Sequence, residues 1–158
     1  MKKLQIEFKW AILFSVALLC WILFEKTMGW YQDEISDFWW LTLFFEPFAL
    51  LIYLLALREK RRVVYNRKIT WAQAILSGII ISFIVAILSP ITEYIAYNFF
   101  TPEHFKAVSE SSVTNELMAN SKLNDVFNIN NYRWESAFGL FGFGILNTIV
   151  AGFFVRKR

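Results

Sequence analysis

The chain has 158 residues, 57% of them hydrophobic and 19% aromatic, with a net charge of +3. Its apolar residues are gathered into long blocks instead of recurring at a core-building period, which excludes an ordinary soluble domain and leaves room for one bundle in lipid. The single cysteine, Cys20, excludes an internal disulfide and a zinc-ligand spacing.

A helix crosses a hydrocarbon core of about 30 Å with roughly 20 mostly apolar residues. Four segments meet that length, so the expected fold is all-α, one bundle of four transmembrane helices over 1–158. The first runs from about 8 to 30 and is interrupted only by Glu25 and Lys26. Met1-Lys2-Lys3 ahead of an apolar run resembles a signal peptide, but "EKTMGWY" provides no small-residue cleavage site, and Leu18-Leu19 before Cys20 do not fit a lipoprotein signal. The segment is expected to stay attached.

The second span, 38–57, carries Glu46 and Pro47 in its middle. Steps of three and four residues from Glu46 reach Thr42, Ala49, Tyr53 and Ala56, a small and polar stripe that should face the interior. Pro47 should kink this helix by freeing the carbonyl of Leu43, and Pro90 should do the same at Ala86.

The third span, 70–100, repeats small residues at every fourth position: Thr70, Ala74, Gly78, Ser82 and Ala86, followed by Ser89, Glu93 and Tyr97. The fourth, 136–155, offers Gly144, Thr148 and Gly152 with Asn147 beside them. Helices in lipid associate through small residues and occasional hydrogen bonds, so these two stripes pair the third and fourth helices.

Between them, 101–135 reads as extracytoplasmic. Thr101-Pro102-Glu103 is a helix start, with a hydroxyl cap, a first-turn proline and an early acid. A short helix should rest on the bilayer surface, and the Asn-rich "NSKLNDVFNINNYR" after it should be irregular.

Orientation follows the cations, which gather in short cytoplasmic loops. Lys2, Lys3 and Lys9, then Arg58 to Lys68, then Arg156 to Arg158 all fall on one side of a four-span chain, so both termini are expected in the cytoplasm. The run "REKRR" then lies against anionic lipid headgroups, and nucleic acid is not an expected partner.

At 1.5 Å per residue, Glu46 lies about 12 Å into the core, Glu25 about 8 Å short of the outer boundary, Glu93 near that boundary and Asn147 near the midplane. Lys26 is the only cation at their level. Glu25, Lys26, Glu46, Glu93 and Asn147 therefore form a candidate intramembrane polar cluster. A charge at the bilayer centre costs at least about 2.5–3.5 kcal/mol, so Glu46 is either held by Lys26 or by hydroxyls of neighbouring helices, or kept neutral, or it lines an outward-facing site for a cation or proton.

Catalytic sets are missing. The one histidine, His104, lies outside the spans, so neither a zinc H-E-x-x-H motif nor a base for Ser77 exists in the membrane. No enzyme activity, metal or cofactor is expected. The expected role is a packing, assembly or regulatory partner in the membrane, as a homo-oligomer or with another membrane protein.

In order along the chain, "IEFKWA", "WILFEKTMG", "ALREKRR", "SGIIIS", "LSP" and "TPEHF" together resemble an uncharacterised family of small bacterial membrane proteins, the domain of unknown function number four-one-nine-nine. The resemblance implies four membrane helices and a bacterial inner membrane. It implies no activity, cofactor or site.

Overall fold

The computed structural model describes residues 2–29, 42–100 and 129–156, and their regular elements are all helical. Helix α1 spans Lys2–Thr27; a 3-10 turn at Thr42–Phe45 runs into α2, Glu46–Val63. Helix α3 spans Trp71–Ile95 and continues as a π-helical turn, Ala96–Phe100, and α4 spans Ile129–Val155. No strand occurs among the described residues.

Three stretches are long and apolar enough to cross a membrane: Leu4–Thr27, Trp71–Phe100 and Ser136–Val155. Helix α2 is not among them. Its apolar run, Pro47–Leu57, lies between Glu46 and Arg58 and covers about 16 Å, half of a hydrocarbon core. Residues 38–41 of the expected second span lie outside the described residues, as does the expected surface helix after Thr101. The Asn-rich end, expected to be irregular, is helical from Ile129 and supplies the first turn of α4.

Local chemistry sets the ends. Gly29 adopts φ 75, a left-handed conformation that costs glycine nothing, and its N–H donates to the Lys26 carbonyl at 3.0 Å to close α1. A reciprocal capping box opens α3: Gln73 N–H donates to Thr70 Oγ1 at 3.3 Å, and Thr70 N–H donates to Gln73 Oε1 at 3.0 Å. Pro47 does not kink the middle of a long helix as expected. It sits in the first turn of α2, where its missing donor would have had no intrahelical acceptor. Helix α3 runs on through Pro90 to Ile95.

The most extensive interface joins α3 to α4; α1 packs on α3 and α2, α2 packs on α4, and α2 meets α3 only slightly. The order around the bundle is therefore α1, α3, α4, α2. Gly78 lies so close to Thr148 that a Cβ there would overlap it, Gly144 stands in the same relation to Ser82 and Tyr53, and a Cβ on Gly152 would lie 3.5 Å from Ala74. Three contacts thus step by four residues in opposite directions along two antiparallel helices. Such close approach supplies the packing that apolar lipid cannot drive. Ala86, the last member of the expected stripe, is half-buried.

Around this seam, Phe14 meets Phe45 and Tyr53 edge-on, with centroids 5.6 Å and 6.0 Å apart. Bulky apolar side chains such as Phe8, Ile12, Phe83, Ile87 and Phe153 point outward.

Candidate functional site: a polar face on α2

Helix α2 turns Glu46, Ala49, Tyr53, Ala56 and Lys60 toward its neighbours, at alternating steps of three and four residues. The alanines let neighbouring backbones approach, and the three larger groups recur every seven residues, the spacing that keeps one face of a helix on a partner. Each of the three takes its partner from a different helix.

Glu46 is half-buried in the first turn of α2, where the positive end of the helix dipole favours a carboxylate. Its Oε2 accepts a hydrogen bond of 2.8 Å from Asn147 Nδ2 on α4. Tyr53, 1% exposed, shares a hydrogen bond of 2.8 Å with Ser82 Oγ on α3. The absent side chain of Gly144 makes room for this bridge across the bundle diagonal. Lys60 Nζ donates to Glu7 Oε1 on α1, and the two side chains are 5% and 1% exposed. Glu7 Oε2 is buried and has no hydrogen-bond partner among the described residues.

The expected polar cluster divides. Glu46 and Asn147 are brought into contact. Glu25 and Glu93 are buried, but each accepts a hydrogen bond from one turn back on its own helix: Trp21 Nε1 to Glu25 Oε1 at 2.6 Å, and Ser89 Oγ to Glu93 Oε1 at 3.0 Å. Lys26, one of the alternatives for holding Glu46, is exposed near the end of α1, and the Asn147 amide donates to Glu46 instead. Consecutive helix positions point about 100° apart, so the burial of Glu25 turns Lys26 outward.

The opposite end of the bundle gathers the N-terminus of α1 and the C-termini of α2 and α4. Lys9 Nζ pairs with Glu59 at 2.6 Å, and Trp10 Nε1 donates to the same carboxylate at 2.7 Å. Burial pushes the Glu59 carboxyl up, but the hydrogen bonds from Lys9 and Trp10 and the charge of Lys9 outweigh it and hold Glu59 below the usual carboxylate range. Arg61 Nη1 donates to the Val155 carbonyl at 2.9 Å, placing a cation at the negative end of α4. Sequence reasoning missed Glu7, Glu59 and Lys60 as ties between helices. A signal existed for one of them: Lys60 is the next four-residue step after Ala56.

No group of His, Cys, Asp or Glu among the described residues is arranged to hold a metal ion. An open groove of about 430 Å³ between α1 and α2 is lined by apolar side chains, Trp21, Phe24, Phe45 and Phe48 among them, and by no carboxylate.

An all-helical bundle with its polar groups tied inward and three helices apolar enough to be membrane-embedded defines the class of protein. Residues 9–157 match the family described as protein of unknown function (DUF4199), and the chain belongs to that family. No curated protein and no solved structure matches the chain.

Proposed function

We propose that this chain is an integral protein of the bacterial cytoplasmic membrane, with four spans and both termini inside, that works as a non-enzymatic assembly or regulatory partner for a second copy or another membrane protein. One observation carries the reading: the polar groups of the α2 face are used on ties between helices, Glu46 to Asn147, Tyr53 to Ser82 and Lys60 to Glu7. Side chains spent in this way build a bundle, and bulky apolar residues cover its outside. The gathering of cations at one end supports the orientation, since cytoplasmic loops carry the excess of Lys and Arg. Crosslinking in native membranes followed by mild-detergent purification tests the reading. A defined crosslinked neighbour or homo-oligomer is expected, and a lone monomer with no neighbour would overturn it.

A second reading has its own support. Glu46 is a half-buried carboxylate held by a neutral amide instead of a cation, which suits a group that takes up a proton or a cation from the outer side. Its test is proton or cation uptake by the purified protein, which Glu46→Gln should abolish while the fold survives.

A further inference from the structure

We propose that the basic end of the bundle holds a site for the phosphate of one anionic phospholipid headgroup, built by Arg61 with Arg67 and Arg156 beside it. The proposal stands apart from both roles given above and needs only that the bundle lie in a membrane.

The cations of "REKRR", read from the sequence as a field spread over headgroups, divide in the structure. Lys60 turns inward to Glu7, and Lys9 on α1 meets Glu59. Arg58, Arg61, Arg62, Arg67, Lys68 and Arg156 meet no carboxylate among the described residues. Arg61 stands out among them because α4 holds it. Its Nη1 donates to the Val155 carbonyl at 2.9 Å, and its Nε is buried with no hydrogen-bond partner among the described residues. In a guanidinium, Nε–H and one terminal NH2 form an edge that matches two oxygens of a phosphate. A buried donor of a charged group is costly to leave open, and an oxyanion is the partner this edge fits. Arg61 as a whole is only half-buried, so its head stays within reach of the bundle's surface.

Two further cations are tied to the same place. Arg67 N–H donates to the Arg61 carbonyl at 2.9 Å, which folds the turn after α2 back on that helix. Asn66 and Arg67 both adopt left-handed backbone there, with φ 47 and 68. Asparagine takes that conformation readily, but for arginine it is strained, and such strain gathers where a residue's position matters. Arg156 follows Val155 directly, and its guanidinium lies 4.6 Å from the centre of the Phe153 ring, a cation–π contact at the end of α4. The level of the cluster selects the ligand. Arg67 and Lys68 come just before the apolar stretch Trp71–Phe100 begins, and Arg156 comes just after Ser136–Val155 ends. A Cβ on Gly152 would lie 3.7 Å from the Trp71 indole, so this tryptophan sits against the last turn of α4, as indoles do at the headgroup level. A phosphate that meets Arg61 at the edge of the apolar layer is one that a lipid carries, with its acyl chains along the outward apolar side chains such as Phe153.

The test uses the full chain in mild detergent, with bound lipid counted by native mass spectrometry and melting curves recorded beside it. Dioleoylphosphatidylglycerol is the anionic probe, dioleoylphosphatidylcholine the zwitterionic one, and inorganic phosphate the one without chains. Expected is one phosphatidylglycerol per chain, held about tenfold more tightly than phosphatidylcholine. Arg61→Lys keeps the charge and loses the fork, and should weaken that binding about tenfold. Arg58→Gln removes a charge outside the site and should weaken it less than about twofold. Equal retention of the two lipids, or an Arg58→Gln loss as large as that of Arg61→Lys, would overturn the site in favour of diffuse attraction. Stabilisation by inorganic phosphate equal to that by phosphatidylglycerol at the same concentration would overturn the lipid as its ligand. Should Arg61→Lys fail to fold, Arg67→Gly decides, because glycine takes φ 68 freely and keeps the turn. It should weaken binding more than Arg58→Gln does, and an equal effect of the two would overturn the proposal.

Discussion

The two ends of the bundle handle their carboxylates differently. At the basic end, Glu7 and Glu59 each meet a lysine from another helix, so charge is offset by charge across an interface. At the other end, Glu46 accepts from the Asn147 amide, a neutral donor. The difference separates two uses of a carboxylate in an apolar bundle. A charge-paired acid locks two helices together and cannot lose its partner cheaply, whereas an acid held by neutral donors can change protonation without leaving a cation stranded.

The largest effect should come from breaking the buried pair. Lys60→Met strands Glu7 in the interior and should cost about 3–5 kcal/mol of stability in detergent unfolding. Next comes the seam on which both ends depend. Gly78→Ala and Gly144→Ala push a methyl into Thr148 or into the Tyr53–Ser82 bridge, and each should cost about 1–3 kcal/mol, with the Gly144 variant also breaking the only described bond between α2 and α3 side chains.

Smaller still is Glu46→Gln, which keeps an acceptor for Asn147 and should leave stability within about 1 kcal/mol of the parent. A measured gain would sharpen the contrast, since it would mean the carboxylate is kept at a cost.

The smallest effect belongs to Glu59, which lies at the surface. Because its folded value is depressed, its contribution is present above the ordinary carboxylate value of 4.5 and is lost as the pH falls through the lowered value. Because Glu59 is only half-buried and its partner Lys9 is exposed, the pair should be worth less than about 1 kcal/mol. Lys9→Gln should remove the pH dependence, and added salt should weaken it, as unfolding curves at several pH values would show.

The seam between α3 and α4 was legible in the sequence because small residues at every fourth position are rare in an apolar run and have one physical use, close approach. The face of α2 was legible as far as Ala56. It was lost at Lys60 because "REKRR" reads as headgroup cations when charge is weighed before periodicity, and the same weighting hid Glu7 among Lys2, Lys3 and Lys9. Counting residues from the span ends set depth but not direction around each helix. Lys26 was therefore offered as one partner for Glu46 by level alone, although its neighbour Glu25 occupies the buried side. Trp21 and Ser89, each four residues before its acid, could have been named as donors from spacing alone. Pro47 was misjudged because an apolar run does not reveal where within it the α-helix begins.

The central claim is that α2 is fastened to its neighbours by polar groups at seven-residue intervals, the strongest being Lys60 on Glu7. A double-mutant cycle on this pair, using Glu7→Gln, Lys60→Met and both together in detergent unfolding, tests it most directly. The account predicts that the double variant recovers most of the loss seen in Lys60→Met, with a coupling of about 2–3 kcal/mol. Additive losses, with no coupling beyond about 0.5 kcal/mol, would contradict it.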